Sequence, residues 1–366
     1  MSGPRYWYPV QLAKKLRRKP TRVVILGVGY VIYRASGGQP VAHLDRCPHR
    51  NVPLSAGACR PDDTIECPYH GWRFSPNGRC RKIPGATFEP KPQHRVATYP
   101  CLEHFGIVWL CPHQEGPVQQ MWQVPELGDS NYSHLTRQVT FPAGLHAVVE
   151  NALDVPHTSI LHRGLFRSGK RHRIDVVLRR TSRAAEAEYL GEPPPQGLVA
   201  QLLLLFERRK SRREGLVVRH WDRFLGPNLL QVEYRLGQHV RFVIFGFCCP
   251  LSSSKTELFA IAVVKTPLPA FLQKLLLHVV KPFALGVFRQ DVRILALQTA
   301  NVAEAGGERF QSTPLDVLGS AIARIVREAD ERQKNHSGPP QSAPQAPGAE
   351  HPDEPLRERK QSEMEA

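Results

Sequence analysis

Short apolar runs and alternating apolar and polar positions recur along this chain, and turn-forming residues separate them. Such a pattern predicts β-strands. Residues 21–35 are rich in β-branched and aromatic side chains and precede Gly37 and Gly38, so strands are expected there. Further runs at 197–206, 216–224, 228–236, 240–249 and 257–265 predict an antiparallel sheet, and residues 268–299 predict a helix after it.

The first part of that predicted helix, Leu268 to Phe288, is strongly apolar. It is interrupted by Pro269, Lys274, His278, Lys281 and Pro282, so it has no clean run of about 20 apolar residues. We therefore predict a buried or amphipathic helix and no transmembrane span, with association at a membrane surface as the alternative. Residues 1–12 lack the apolar core of a signal peptide, which predicts a cytoplasmic protein.

The length of 366 residues predicts two domains, because single domains usually hold about 100–200 residues. We expect the first domain over residues 1–115 and the second over residues 116–331. Residues 332–366 are rich in Pro, Ser, Gln and charged residues, a composition that predicts a disordered tail.

The chain is basic, since 49 Lys and Arg residues against 33 Asp and Glu residues give a formal net charge of +16. The predicted tail has five basic and six acidic residues, so the excess charge belongs to residues 1–331. The basic runs at 14–22, 163–173 and 208–213 could suit nucleic acid or anionic lipid, but no nucleic-acid motif or interleaved aromatic platform accompanies them. No nucleic-acid partner is therefore expected.

Two short segments carry the first candidate chemistry: Cys47-Pro-His49-Arg and Cys67-Pro-Tyr-His70-Gly-Trp. Each supplies one thiolate and one imidazole from a turn that proline stiffens. A Rieske [2Fe–2S] centre needs two cysteines on one iron and two histidines on the other. Zinc is the alternative, because two Cys and two His also form structural zinc sites, but zinc fingers usually place both histidines in the second half of the motif.

A second group of metal-binding residue types lies at 150–162, where two histidines and two carboxylates occur together. Two His and one carboxylate with open positions form the facial triad that binds Fe(II) in oxygenases. Asp154 and His157 share a helix face, but on a regular α-helix His157 and His162 are separated by about 140°. Both reach one metal only if the helix deviates, as it would at Pro156 with a π-bulge. Two unrelated histidines on a kinked helix are the alternative.

The run from Asp45 to Phe74 resembles the Rieske domain of the Rieske non-haem iron oxygenases. The resemblance implies a [2Fe–2S] cluster in which Cys47 and Cys67 bind one iron and His49 and His70 bind the other.

The spacing Asn151-x-x-Asp154-x-x-His157-x4-His162 resembles the catalytic motif of the same family. This implies that His157 and His162 bind one mononuclear Fe(2+). The third ligand in the family is a carboxylate on a helix near the C-terminus, and Asp291 in the segment 290–298 matches that description. Asn151 is a further candidate ligand.

In the family, the cluster of one subunit faces the iron of its neighbour in a head-to-tail ring, usually a homotrimer. By that resemblance Asp154 is the catalytic residue that bridges His70 and His157. A carboxylate that accepts an imidazole N–H fixes the tautomer and orientation of the ligand.

The resemblance also implies an α+β fold, with an N-terminal all-β Rieske domain followed by a catalytic domain whose antiparallel sheet is covered by helices in a helix-grip-like arrangement. The branch with the vanillate and dicamba O-demethylases and pheophorbide a oxygenase looks most similar. It implies a terminal oxygenase component that uses O2 to hydroxylate or demethylate a hydrophobic or aromatic small molecule.

No flavin or nicotinamide fingerprint is present, so electrons are expected from a separate ferredoxin or NAD(P)H-dependent reductase. The basic runs would suit an acidic electron donor, although a solvated face is their ordinary interpretation. A cis-dihydroxylating dioxygenase subunit and a Rieske electron-transfer or regulatory protein without oxygen chemistry are the alternatives.

Overall fold

The computed structural model describes residues 4–162, 174–192, 217–335 and 356–362. The chain divides into two compact units, one over Met1–Met121 with Cys249–Ser252 and the other over Trp122–Cys248 with Ser253–Lys334. The predicted domain boundaries at 115/116 and 331/332 stay predictions.

The first unit is built from short antiparallel strands in three sheets with the orders β1-β10-β9, β2-β3-β4 and β5-β6-β7-β8. Two single-turn 3-10 helices, Ala13–Lys15 and Leu54–Ala56, connect them. The strands are β1 (Tyr8–Leu12), β2 (Thr21–Ile25), β3 (Val28–Arg34), β4 (Pro40–Leu44), β5 (Ala58–Cys59), β6 (Ile65–Glu66), β7 (Arg73–Phe74), β8 (Cys80–Lys82), β9 (Cys101–His104) and β10 (Ile107–Leu110).

Strands β2 and β3 confirm the prediction over residues 21–35. The side chains of Val31 and Tyr33 point into a core that also holds Leu54, Ile65 and Phe74. Cys47 and Cys67 belong to the same core. The cysteine-bearing loops are therefore anchored in the packed interior of this unit.

The second unit is one antiparallel sheet of eight strands with helices, which confirms the α+β class. The strand order is β11-β17-β16-β15-β14-β13-β12-β18. The strands are β11 (Ser133–Phe141), β12 (Ile174–Arg180), β13 (Ala184–Leu190), β14 (Val218–Leu225), β15 (Leu229–Leu236), β16 (Val240–Ser252), β17 (Lys255–Lys265) and β18 (Leu356–Ser362). The helices are α1 (Leu145–Ala152), α2 (His157–Leu161), α3 (Ala270–Glu304) and α4 (Gly319–Asn335), preceded by a 3-10 turn at Pro125–Leu127.

Half of this sheet follows the hydrophobic pattern, since four of its eight strands, β14 to β17, coincide with predicted runs. The predicted run at 197–206 lies outside the described residues. Strand β13, Ala-Ala-Glu-Ala-Glu-Tyr-Leu, was not predicted, because Ala and Glu are depleted in strands. Its antiparallel pairing with β12 and β14 overrides that preference.

The segment 332–366 contains structure that the tail prediction did not anticipate. Helix α4 continues to Asn335, and β18 pairs antiparallel with β12, with Leu356 opposite Arg180. A sheet edge offers unpaired backbone donors and acceptors to any extended segment, whatever its composition. Residues 336–355 lie outside the described residues.

One face of the sheet packs against the helices. Val149 of α1, Leu295 of α3 and Ile322 of α4 share a core with residues of β12, β13 and β14, among them Leu178, Ala187 and Phe224. This packing brings α1 and α3 to the same side of the sheet, although about 120 residues of chain separate them.

The predicted helix at 268–299 is confirmed as α3. By length and composition α3 is able to cross a membrane, and 11% of its apolar window is buried.

Candidate metal sites

The two Cys/His loops have the same backbone geometry. The Asn51 N–H donates to the Cys47 carbonyl at 2.8 Å, and the Gly71 N–H donates to the Cys67 carbonyl at 3.1 Å. Asn51 and Gly71 adopt φ angles of 61° and 68°, a left-handed conformation that Asn and Gly tolerate better than other residues. Each loop is thus a tight turn that starts at its cysteine and ends just after its histidine.

The cysteines point inward and the histidines point outward. Cys47 and Cys67 are 1% and 3% exposed. The imidazoles of His49 and His70 lie nearer the surface, with ring centroids 4.5 Å apart, and Trp72 stacks on His49 at 4.8 Å. A cluster held here would have its histidine-bound iron on the solvent side, where an electron can leave or arrive.

The donor set of these loops fits a [2Fe–2S] cluster. His49 Nδ1 is buried and, among the described residues, has no hydrogen-bond partner. Burial, together with the neighbouring Cys67 thiol, raises the pKa of the Cys47 thiol to about 11. Two buried thiols become thiolates only beside positive charge, which bound iron provides. The chemistry of these side chains thus fits the cluster, and the assignment of Cys47, His49, Cys67 and His70 as its ligands stays a prediction.

The chain around His157 and His162 is not the π-bulged helix that the spacing predicted. Helix α1 ends at Ala152, and α2 begins at His157 after a break that contains Pro156. His162 follows the last residue of α2 with φ −105° and ψ 28°, outside helical geometry. The two histidines therefore flank a single short helix, and the backbone bends at both ends to turn them toward each other.

The structure brings all three predicted mononuclear ligands together. His157 Nε2 and His162 Nε2 are 3.2 Å apart. Asp291 Oδ1, on α3, lies 3.1 Å from His162 Nε2 and 3.7 Å from His157 Nε2. Among the described residues, these three form the one group of His, Cys, Asp or Glu side chains close enough to share a metal ion.

A second set of contacts orients the two imidazoles. His162 Nδ1 lies 2.7 Å from Gln290 Oε1, and a carbonyl oxygen only accepts, so Nδ1 carries the proton. His157 Nδ1 lies 3.3 Å from Asp154 Oδ2, but it makes no hydrogen bond within the described residues. The contact with Gln290 leaves the lone pair of His162 on Nε2, and His157 Nε2 lies 3.2 Å from that atom. Gln290 is a functional residue that the sequence did not identify, because its contact with His162 exists only in the folded chain.

The donor atoms of His157, His162 and Asp291 fit a metal ion, and a bound cation would compensate the buried Asp291 carboxylate. Asp291 Oδ1 is buried and, in the described part of the chain, accepts no hydrogen bond. Burial lowers the pKa of His162, but the contacts with Asp291 and Gln290 outweigh it and raise that pKa above its usual value. An electrostatic environment that stabilises a proton on His162 also stabilises a metal cation at the same place. Two imidazoles and one carboxylate are the facial set of non-haem iron sites.

Asp154 and Asn151 lie beside this site. Both line an open cavity of about 1160 Å³ that His157 also lines. The Asp154 carboxylate also accepts the backbone N–H of His157 at 3.3 Å. The assignment of Asn151 as a ligand and of Asp154 as a bridge to His70 stay predictions.

His220 shows what a structural histidine looks like in the same unit. Its Nδ1 lies 2.8 Å from Glu192 and its Nε2 3.0 Å from Asp222, between the rings of Tyr189 and Tyr234. Burial lowers the pKa of His220, but the two carboxylates outweigh it and raise the pKa to about 9. Both ring nitrogens act as donors, so neither is free to bind a metal.

Comparison with known proteins agrees with this geometry. Residues 6–100 match the Rieske [2Fe-2S] domain family. The chain is 32% identical over 166 residues to chlorophyllide a oxygenase of Chlamydomonas reinhardtii, which covers 45% of this chain and 25% of the relative. It is 35% identical over 170 residues to 4beta-methylsterol monooxygenase of Methylococcus capsulatus, which covers 44% and 45% respectively.

The fold agrees as well. The crystal structure of dicamba monooxygenase bound to dicamba superposes with a TM-score of 0.74 over 92% of this chain and 100% of that chain, at 18% identity. This chain is a relative of the Rieske non-haem iron oxygenases. The resemblance read from the cluster loops is confirmed, as is the two-part fold of the Rieske oxygenases.

The extent of these matches matters for what they establish. The aligned part of the chain spans less than half the length of either sequence relative. At 18% identity, the likeness to dicamba monooxygenase shows the fold alone. Chlorophyllide a oxygenase is a chloroplast protein, whereas the cytoplasmic location predicted for this chain stays a prediction.

Proposed function

We propose that this chain is the terminal oxygenase component of a Rieske oxygenase system. It uses O2 to hydroxylate or oxidatively demethylate a hydrophobic or aromatic small molecule. The convergence of His157 Nε2, His162 Nε2 and Asp291 Oδ1 carries this proposal, because a Rieske electron-transfer protein needs the cluster loops but has no use for a second, buried metal site.

In the proposed mononuclear site, some residues would bind the iron and others orient the residues that bind it. When bound, the [2Fe–2S] cluster would supply single electrons and the Fe(2+) would supply the place where O2 is activated. His157, His162 and Asp291 would hold the iron through two imidazoles and one carboxylate. Gln290 accepts from Nδ1 of His162, so that Nε2 of that ring stays available, and the Asp154 carboxylate lies 3.3 Å from Nδ1 of His157.

The proposed reaction needs electrons from a donor protein, and these electrons must pass from the cluster to the iron. Monooxygenation puts one oxygen atom into the substrate and reduces the other to water, so it consumes two electrons and two protons. A separate ferredoxin or NAD(P)H-dependent reductase is the proposed donor to the cluster. Within a proposed homotrimer, His70 of one subunit would face Asp154 of the next, since both side chains are accessible at their surfaces.

The names of the relatives support the substrate class. A methylsterol, chlorophyllide a and dicamba are all apolar or aromatic molecules. We propose a substrate of this kind and a cytoplasmic site of action.

Two measurements test the proposal together. Anaerobically reconstituted protein is expected to contain roughly one iron beyond the two that match its acid-labile sulfide, with a Rieske-type signal on reduction. With a surrogate reductase, a mass-spectrometric screen of sterols, chlorin pigments and methoxyarenes should find a gain of one oxygen or the loss of a methyl group. Iron at the cluster stoichiometry alone would leave an electron-transfer protein, and a gain of two hydroxyl groups on a ring would establish a dioxygenase.

A further inference from the structure

The first half of α3 exposes an apolar stripe. Phe271, Leu275 and Val279 are 69%, 58% and 46% exposed, and His278 and Pro282 are exposed beside them. At 100° per residue these five positions fall within an arc of about 100° on the helix surface. Large apolar side chains exposed contiguously, unlike single scattered ones, mark an interaction surface.

The opposite side of the same helix is held by its own domain. Gln273 is buried, and its amide donates to the Leu268 carbonyl at 2.8 Å and to the Asn131 carbonyl at 3.3 Å. Leu277 packs into a cluster with residues of β14 to β17. A helix fixed along one side by hydrogen bonds and packing cannot be surrounded by lipid, so α3 does not act as a span despite its length and composition.

Charge identifies the surface that this stripe fits. Residues 266–290 contain three cationic side chains, Lys274, Lys281 and Arg289, and no Asp or Glu. Lys274 and Lys281 lie along one edge of the stripe, and Arg289 continues it toward the C-terminus. A second copy docked through the same stripe would bring its own Lys274 and Lys281 to the contact, whereas an anionic bilayer offers both an apolar layer and compensating charge.

We propose that this lipid-facing stripe, namely Phe271, Leu275, Val279 and Pro282 with Lys274 and Lys281 at its edge, docks on the surface of an anionic lipid bilayer. The apolar side chains enter the boundary between headgroups and acyl chains, and the lysines extend to the headgroups. The proposal does not depend on the oxygenase activity. It places Asp291 of the same helix about 30 Å along the axis from Phe271, at 1.5 Å per residue.

The test is sedimentation of the full-length, metal-loaded protein with vesicles of phosphatidylcholine alone and with vesicles that also contain phosphatidylglycerol. Binding is expected only to the anionic vesicles and should decrease as salt is raised. Phe271→Ser with Leu275→Ser should weaken partitioning by about tenfold or more. Val217→Ser is the matched control, because Val217 is 60% exposed and lies outside this helix.

Charge is tested separately. Lys274→Glu with Lys281→Glu should weaken binding to anionic vesicles about tenfold or more. Arg324→Glu with Arg327→Glu on α4 makes the same change in net charge away from the stripe and should have a smaller effect. Equal losses in both double variants would show that net charge, and not this surface, drives binding, which overturns the proposal.

Light scattering of the same variants tests whether a second copy of the chain, and not lipid, covers the stripe. If the serine variants dissociate an oligomer and the wild type ignores both kinds of vesicle, the stripe is an interface between copies of the chain and the lipid proposal is wrong. Unchanged oligomeric state with lost vesicle binding supports it.

Discussion

The four candidate cluster ligands fall within one stretch from Cys47 to His70, whereas the three candidate iron ligands come from two stretches more than a hundred residues apart. In the Rieske unit, two turns closed by local hydrogen bonds position all four side chains. In the second unit, α2 and α3 must pack correctly before any site exists. The cluster site is therefore a local structure, and the mononuclear site depends on the tertiary fold.

The largest effect is expected when one ligand is removed from the mononuclear site, which depends on the tertiary fold. Asp291→Ala should abolish binding of the mononuclear iron and reduce turnover to background, since two imidazoles alone hold Fe(2+) weakly. The [2Fe–2S] signal should remain. Iron analysis and the reduced-state spectrum measure both. Asp316→Ala is the matched carboxylate control and should retain the iron; if it loses iron as Asp291→Ala does, the assignment of Asp291 is wrong.

The reciprocal change tests the local site. Cys67→Ser should eliminate the cluster signal and turnover, while the fold of the second unit and its mononuclear iron persist. Visible absorption and iron analysis of the anaerobic protein would show this. Loss of both metals together would contradict the independence of the two sites.

At the proposed bridge, Asp154→Asn should leave both metals bound but lower turnover about tenfold to a hundredfold, because it removes a charged partner of His157 without removing a ligand. Reduction of the cluster by the donor protein should be normal, and product formed per electron should fall. Stopped-flow cluster oxidation compared with product yield is the measurement. Unchanged coupling would remove Asp154 from the electron path.

An effect on metal affinity is expected at Gln290, which orients His162 from outside the ligand set. Gln290→Leu should weaken Fe(2+) binding about tenfold to a hundredfold, since the Nδ1 proton loses its acceptor. Gln290→Glu keeps an acceptor at the same place and should restore binding to near the wild-type level. Competition with a chelator measures the affinity. Equal loss in both variants would mean that Gln290 only fills space.

The smallest effect concerns His220, the histidine that binds no metal. Its folded-state pKa of about 9 lies above the unfolded value of 6.5. The stability it contributes is therefore fully present below pH 6.5 and is lost as pH rises through about 9, on the order of 3 kcal/mol or less. Urea unfolding of the wild type across that range should show the decline, and His220→Gln should flatten it. Parallel curves for the two proteins would exclude His220 as the cause.

The sequence by itself determined the features whose geometry is local. The proline after each cysteine predicted two tight turns, and Asn51 and Gly71 with positive φ close those turns in the structure. The strands of residues 21–35 and 228–265 follow from apolar patterning, because one side chain in two faces the core. Asp291 was identified through family resemblance, since composition alone does not distinguish it from other aspartates.

Tertiary structure decided the remainder, because those features depend on contacts between distant segments. Strand β13 forms from an Ala- and Glu-rich sequence because β12 and β14 pair with it, and β18 forms where β12 offers an open edge. The break between α1 and α2, with no π-bulge in the described residues, turns His157 toward His162. Packing of α3 on the sheet then delivers Asp291 and Gln290 to these histidines and leaves Phe271 and Leu275 exposed, which no local pattern encodes.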